Sequence, residues 1–513
     1  MPYSMHLLLT LATILLSKTP ATADGSEAGP AASDLTEVIE PVPQRLRDLV
    51  EDFRSRPVSP TRTHPFERRL QETLRELGRG IVQYTYNHLE PADVQVLAKH
   101  VQFEAGCYTR LNAKTPRNAW TLFGQIRLQR VGYRPADQCG EPTIFPLALG
   151  LGLVRGASPA LAERVAHLLG ATGMTRGQTL ERLERDHGVG WGVKKLRQAA
   201  EALSSSLAEQ RHGAQVDRLL ELLGQASAST GRHKPVLSVG RDGITMGVRI
   251  KRGNLFEAAT TGTVSVLDRR GRRLGTVYLA YTPEARQTTM SRELTRLLRE
   301  VLRRWQGPLP RLCHVTDAGD NETTYYDKEL ARMKHPCTGE TLDWIGVVDY
   351  YHASERIWTL ADLLFGKGRQ SAAWARKMQK WMLKPGGVNR VLHSAAALRD
   401  RYGLEGVKRS EFQKAYRYLR SRMRYMRYAA YRRVGVPLGS GVTEAGCKTV
   451  YTQRLKRSGM RWHKADAQTI LNLRVLQLSG VWDEAYARVL KEYREPKVGD
   501  QKLSGKKRGQ KAA

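Results

Sequence analysis

Asp242, Asp317 and Asp349 each follow a largely apolar run: Val236-Leu-Ser-Val-Gly-Arg before the first, Arg311-Leu-Cys-His-Val-Thr before the second, Trp344-Ile-Gly-Val-Val before the third. Such runs read as buried strands, so the three acids are expected at strand ends, where neighbouring strands can bring two carboxylates to one point. A fourth acid, Glu444, sits in Gly439-Ser-Gly-Val-Thr-Glu444-Ala-Gly-Cys-Lys448. Its Gly-Ser-Gly segment is expected to let a helix dock closely on a sheet, with Thr443 as the helix cap. Carboxylate oxygens suit Mg2+, which keeps several waters and needs few protein ligands; Mn2+ also takes oxygen ligands. Two such ions about 3.5–4 Å apart activate a water or hydroxyl and stabilise the leaving oxygen when a phosphodiester is cut. An Asp after a strand is also an ordinary turn residue, so Asp320 stands as a rival to Asp317, and Asp349 as another strand-end acid.

The elements that must hold these acids follow from the pattern around them. Further strands are expected at 246–250, 256–266 and 274–281, with Gly-rich turns between them, then an amphipathic helix at about 288–305. This order gives a mixed α/β sheet with a site at its strand ends. From about 354 to 433 the pattern is nearly all helical. Between Gly366 and Arg433 nineteen Lys or Arg stand against three acids, Asp400, Glu405 and Glu411. Tyr418, Tyr425 and Tyr428 recur there at helical spacing and are expected to pack inward. The arginines among them, including Arg420 and Arg424, are expected to contact DNA phosphates. Lys448, Arg454, Lys456 and Arg461, just after Glu444, are expected to face phosphates too. A last helix is expected at about 465–478.

The whole chain is a polycation. Its 513 residues carry 83 Lys and Arg against 50 Asp and Glu, a formal charge of +33. A surplus that large attracts a polyanion, because each neutralised phosphate releases counterions. The length implies several domains. Five cysteines, Cys107, Cys139, Cys313, Cys337 and Cys447, are scattered without a Cys-x-x-Cys pair, which argues against a disulfide scaffold and fits a reducing compartment. Residues 6–16 are apolar and Ala21-Thr-Ala23 looks like a signal-peptidase site. Yet no Lys or Arg precedes the run, and it is too short to span a bilayer. The chain is therefore expected to be cytoplasmic and nucleoid-associated, without a true export signal or a membrane partner.

Residues 1–60 are expected to be disordered. Beyond them a helix is expected at 65–87 and a β-hairpin at 120–133 carrying Arg127 and Arg130. Three short helical patterns follow at about 158–170, 175–187 and 191–208. The last two are joined by Gly188-Val-Gly-Trp191, which is compatible with a helix-turn-helix. Its third helix, with Lys194, Lys195 and Arg197, is the candidate for a DNA groove.

Val239-Gly-Arg-Asp242-Gly, Val315-Thr-Asp317-Ala-Gly, Val348-Asp349-Tyr-Tyr-His352-Ala and the stretch from Gly439 to Trp462 together resemble bacterial insertion-sequence transposases of the DDE class, in the branch related to Mutator-like elements. The resemblance covers roughly residues 100 to 480. Its most specific parts are Gly-Ser-Gly-x-x-Glu-Ala-Gly-Cys-Lys and the Arg-Leu-Lys-x-Ser-Gly-Met-Arg-Trp that follows. It implies an α/β, RNase H-like catalytic fold with an all-helical insertion, preceded by a mainly helical N-terminal DNA-binding region. The expected parts are 1–60 disordered, 61–225 DNA-binding, 232–353 catalytic core, 354–433 basic insertion, 434–482 final core helices and 483–513 a basic tail.

The resemblance also implies Asp242, Asp317 and Glu444 as the Mg2+ ligands, with His352 contacting DNA or ordering the site. A structural histidine that orients Asp349 is the plainer role for His352. The implied activity is a transposase that cleaves element ends and transfers the 3′-hydroxyls to target DNA. Its partners would be terminal inverted repeats and target duplex, worked on by a homodimer or larger assembly. An RNase H-like nuclease or resolvase without strand transfer, and a catalytically silent transposase-derived DNA-binding protein, are the alternatives. One departure stands out: relatives commonly carry paired N-terminal cysteines that look like a zinc ribbon, whereas here only Cys107 and Cys139 lie in that region, so no structural zinc is expected.

Overall fold

The structure, a computed structural model, describes residues 34–104, 106–136, 142–457, 459–492 and 497–498. The apolar run at 6–16, Cys139 and the basic residues after 501 lie outside the described residues. Two compact units divide the chain: Met1–Ala166 with Thr175–Leu203 and Leu490–Ala513, and His167–Met174 with Ser204–Val489.

The first unit opens with α1 (Leu35–Ile39), α2 (Pro41–Arg54) and α3 (Pro60–Asn87). The expectation of disorder up to residue 60 fails for 35–54. The prolines and acids that suggested it start helices instead. Asp34 accepts from the Thr36 amide to cap α1, and Pro41 and Pro60 open α2 and α3, where a missing N–H costs nothing. Gly80 of α3 lets Val38 approach: a Cβ there would stand 2.6 Å from the Val38 side chain.

Next come β1 (His100–Phe103), β2 (Gly106–Thr121) and β3 (Gly124–Pro135). They form an antiparallel sheet with the short strand Lys497–Val498 added beside β1. Alternation along β3 buries Ile126 and Leu128 and exposes Gln125 and Arg127. Arg130 also turns inward, its guanidinium 3.5 Å from the centre of the Phe145 ring, and burial draws its pKa down to about 10.

The helices α4 (Pro146–Gly150), α5 (Pro159–Gly170), α6 (Arg176–His187) and α7 (Val193–Ala228) follow. A capping box of Thr175 and Gln178 starts α6, and left-handed Gly188 ends it. The third helix of the expected trio is not short. α7 runs for 36 residues, and most of it belongs to the second unit.

The second unit is built on β4 (Val236–Ile250), β5 (Gly253–Leu267), β6 (Arg273–Tyr281), β7 (Arg311–Thr316) and β8 (Trp344–Val348), with α8 (Thr288–Arg304) between β6 and β7 and α9 (Asp320–Tyr325) after β7. The strand order is β6-β5-β4-β7-β8. The first three strands are antiparallel, while β7 and β8 run parallel to β4. One face of the sheet is covered by α7 and α8: Met290, Leu294, Leu297, Leu298, Val301 and Leu302 form the buried stripe of α8 against Leu237, Val239, Val264 and Val277.

The other face meets the helical insertion: α10 (Tyr350–Phe365), α11 (Arg369–Met382), α12 (Gly387–Tyr402), α13 (Gly406–Ser421) and α14 (Tyr428–Val434). There Cys313, Val315, Val347 and Val348 pack with Ala353, Ile357, Leu360, Phe412 and Leu419. The chain then returns through α15 (Gly441–Cys447), α16 (Lys464–Leu478) and α17 (Trp482–Lys491), so helix continues to residue 491 where a tail is expected from 483. No helix among the described residues is long and apolar enough to cross a membrane.

Candidate active site

Asp317 directly follows β7 and Asp349 directly follows β8, as the apolar runs predict. Asp242 departs from the expectation. It lies in the middle of β4, which continues unbroken to Ile250 because β5 pairs with it from Val236↔Leu267 to Ile250↔Gly253. What does end near Asp242 is the parallel pairing, whose last partners are Val239 and His314. Carried three residues further, that register sets Asp242 level with Asp317, and period-two alternation points both toward the sheet face that bears the insertion.

α15 brings Glu444 to the same face. Its seat on β4 and β5 is close: a Cβ on Gly240 would lie 1.9 Å from Thr443 Oγ1, and one on Gly446 would lie 3.3–3.4 Å from Thr261, Thr263 and Tyr278. The close approach expected of Gly439 and Gly441 is thus supplied chiefly by Gly240 and Gly446, and nothing stands within 4 Å of a Cβ at Gly441. Thr443 is not the cap. It lies inside the helix and shares a 2.7 Å hydrogen bond with Thr263, while Ser440 holds the cap position.

The electrostatics bind these acids into one group. Burial pushes the Asp242 carboxyl above its ordinary value; the Cys447 thiol bonds it and works the other way, while Asp317 and Glu444 repel its charge and push it further up. Glu322, in the first turn of α9 and 6% exposed, is also raised by burial, eased by Arg241 and raised again by Asp317 and Asp242. Arg241 is itself buried, donating to Ser291 Oγ (3.1 Å) and Gln287 Oε1 (2.8 Å) on the far side of the sheet.

The turn that carries Asp317 is held under strain. Ala318 has φ +59°, a left-handed conformation unusual for alanine. The insertion pins it there: Tyr418 donates to the Asp317 carbonyl (2.7 Å) and Arg422 Nε to the Ala318 carbonyl (2.8 Å).

Asp349 and His352 divide differently. Asp349 is 1% exposed and its acceptor capacity is filled: it takes the Tyr351 and His352 amides on one oxygen and the Ser440 amide and hydroxyl on the other. It is a helix cap and a clasp rather than an open ligand. Ser440 Oγ also lies 2.7 Å from Glu444 Oε1. His352 stands between two acids, Nδ1 at 3.3 Å from Glu355 and Nε2 at 3.4 Å from Glu444. Burial works against its charge, but Asp349, Glu355 and Glu444 outweigh it and raise its pKa. Asp320, the rival of Asp317, is fully exposed and leans toward Arg422 at 3.7 Å.

Asp242, Asp317 and Glu444 offer oxygen donors alone, the set a hard divalent cation prefers, and the buried Asp242 carboxylate, repelled by Asp317 and Glu444, fits a cation in chemistry. Geometry is less complete. Among the described residues no group of three or more His, Cys, Asp or Glu side chains is placed so as to hold a metal ion, and Glu444 is engaged by Ser440 and His352.

The expected phosphate-facing residues fare unequally. Lys448, Lys456, Arg420, Lys194 and Arg197 are exposed. Arg454 is not: it is 1% exposed, with Nε donating to the Leu169 carbonyl. Arg461 is half-buried, its guanidinium 5.3 Å from the centre of the Phe256 ring. Arg424 is exposed but paired with Asp327 at 2.8 Å. The tyrosines pack inward, as expected: Tyr428 and Tyr431 donate to the Val348 and Gly346 carbonyls of β8.

The chain is a distant relative of a UPF0236 protein. It is 27% identical over 382 residues to the "UPF0236 protein in vanSb 3'region" of Streptococcus gallolyticus, an alignment spanning 72% of this chain and 74% of the relative. No family model matches the chain.

Glu322, Ser440, Cys447 and Arg241 were missed by sequence reasoning. Glu322 had a readable signal, since Asp317-Ala-Gly-Asp-Asn-Glu322 puts it one helical turn beyond the strand-end acid. The others gain their places only from the pairing of β4 with β7 and the docking of α15.

Proposed function

We propose that the chain is a DNA transposase of the DDE type, with an RNase H-like core in which Asp242, Asp317 and Glu444 are the catalytic acids. The observation that carries this reading is the approach of Asp242 in β4 to Asp317 just past the end of the adjacent strand β7, close enough to repel one another, with the Glu444 helix docked on the same face. The strand order β6-β5-β4-β7-β8, antiparallel then parallel, supports an RNase H-like core. The distant UPF0236 relative is compatible with that family, and the charge of +33 supports a nucleic-acid partner.

Asp242, Asp317 and Glu444 would hold Mg2+ or Mn2+, which would supply an activated water or hydroxyl and stabilise the leaving oxygen. The residues themselves have distinct tasks. Asp317 is presented by a strained turn that Tyr418 and Arg422 fix. Glu444 is steadied by Ser440, and His352 lies where it can bond Glu444 or a DNA phosphate. Glu322 adds negative charge beside Asp242 and Asp317. Exposed Lys448 and Lys456 lie on the segment after Glu444, suited to DNA flanking the cut. Terminal inverted repeats would be read by the first unit, through Lys194 and Arg197, and a homodimer or larger assembly would pair two ends in the bacterial cytoplasm.

A cleavage and strand-transfer assay tests the reading, using labelled DNA from the ends of the element that flanks this gene, with Mg2+, Mn2+ or chelator. End-specific nicking that needs the metal, is lost in Asp317→Asn and is followed by joined product would support it. Tight end binding without cleavage under any metal would point to a silent DNA-binding protein. Cleavage without end preference or joining would point to a nuclease.

A further inference from the structure

We propose that a cationic cavity in the helical insertion, at the start of α12, grips the phosphodiester backbone of duplex DNA. The cavity has a volume of about 620 Å3 and is lined by Lys384, Arg424, Arg427 and Arg433, by the Gly386–Gly387 pair and by small or apolar residues, with no acid in its wall. Arg424 is neutralised by Asp327 at 2.8 Å. Lys384, Arg427 and Arg433 are exposed and form no ion pair among the described residues. Three unpaired cations around one hollow repel one another, and an anion in the hollow relieves that repulsion.

The backbone adds to the field. α12 has 16 residues and no side chain caps its first turn; the Gly387 amide donates to the Lys384 carbonyl, and the positive end of the helix dipole is left without a side-chain counter-charge. Both glycines are there for packing and conformation. Gly386 has φ +66°, and a Cβ on Gly387 would stand 1.8 Å from the Trp381 carbonyl oxygen. Lys384 is steadied at the rim by the Trp381 ring, 4.4 Å from its ammonium.

A second hollow in the same unit serves as the contrast. Along the outer face of α8, Arg292, Arg296, Arg299 and Arg303 line a cavity of about 550 Å3, but Glu300 and Glu329 line it too. Arg303 there is bonded to Glu300, and Arg292 and Arg296 to Glu293. Four cations line each hollow, but of the two only the one at α12 has no acid in its wall. The excess of nineteen Lys and Arg over three acids between Gly366 and Arg433 extends the field beyond the hollow, as suits a polymer with a charge about every 1.7 Å of axis rather than a lone small anion. That the polymer is duplex DNA rests on the transposase reading; the unbalanced cavity does not.

The test is the affinity of the full chain for a short labelled duplex of arbitrary sequence, measured by fluorescence anisotropy across a salt series. The triple variant Lys384→Ala, Arg427→Ala, Arg433→Ala should bind at least about tenfold more weakly. Its log–log salt slope should fall by about 2–3, the value for losing three phosphate contacts. The matched triple Arg292→Ala, Arg296→Ala, Arg299→Ala on α8 should shift affinity by less than about twofold. Thermal melting of both triples guards against loss of fold. Equal losses in the two triples, or an unchanged slope in the first with an intact melt, would overturn the proposal. An RNA duplex that displaces the DNA more effectively than DNA itself would overturn the assignment to DNA. Because no cleavage is read, a failed transposase reading leaves this result standing, and a failed cavity leaves cleavage standing.

Discussion

The acid-bearing centre of the sheet and the insertion that covers its face handle charge in opposite ways. Around Asp242, carboxylates are desolvated and set against one another, so that burial and repulsion both push protons onto them. In the insertion the cations stay in water, and the hydroxyls of Tyr418, Tyr428 and Tyr431 are tied to carbonyls at or near the strand ends. The first region stores unfavourable electrostatics where chemistry is proposed. The second spends its buried tyrosine hydroxyls on position, each bonded to a backbone carbonyl. A strained, self-repelling site next to a scaffold whose tyrosines are tied to its strands is the arrangement expected when the scaffold must hold the site in place.

That contrast yields tests of graded size. Asp317→Asn should lower end cleavage by at least about a hundred- to a thousandfold, yet leave thermal melting unchanged. Asp242→Asn should do the same to cleavage and raise the melting temperature at neutral pH. The sign follows from its raised folded pKa: stability is lost as pH rises above the unfolded value, and the amide removes that loss. Calorimetry on both variants would separate the effects, and a lower melting temperature for Asp242→Asn would refute the self-repelling site.

Asp349→Ala should instead behave as a scaffold lesion. Four hydrogen bonds lose their acceptor, and urea denaturation should show a loss of at least about 2 kcal/mol. A variant that melts normally but is inactive would return Asp349 to the list of ligands.

His314 gives a pH signature of about the same size. It is buried under Arg241 with its pKa lowered to about 3, so the unfolded chain takes a proton near pH 6.5 that the folded chain refuses. Stability from this group is full above pH 6.5 and drains away as pH falls toward 3, by about 2 kcal/mol between pH 7 and 5. His314→Leu should flatten that limb in denaturation curves at the two pH values. The smallest effect belongs to Tyr418→Phe, which removes one hydroxyl bond to the Asp317 turn. It should cost about 1 kcal/mol and lower cleavage with little change in DNA affinity.

Local pattern revealed what local physics decides. The apolar runs marked β7 and β8 and placed Asp317 and Asp349, and the stripe from Met290 to Leu302 marked α8 within a residue. The inward tyrosines of the insertion were legible from their spacing. Where an outcome depends on a distant partner, the sequence is mute or misleading. Arg454 sits in a run of cations that looks solvent-facing, but its guanidinium is taken by the carbonyl of Leu169, 285 residues earlier. Asp242 looks like a strand end, yet β5 carries β4 onward to Ile250. The helices α1 and α2 form on a stretch whose composition suggests disorder, because α3 gives them a surface to lean on.

The clasp between Asp349 and Ser440 has a consequence for how such a chain can change over generations. The segment between those two residues leaves and returns through hydrogen bonds to a single carboxylate. It is a loop already closed at its neck. Lengthening or trimming a closed loop costs only slowly growing entropy, about 0.6 kcal/mol per doubling. The insertion is therefore a replaceable cartridge: its helices can be exchanged for others while the neck keeps Glu444 on station, and under the proposed function new DNA contacts would then not require new acids.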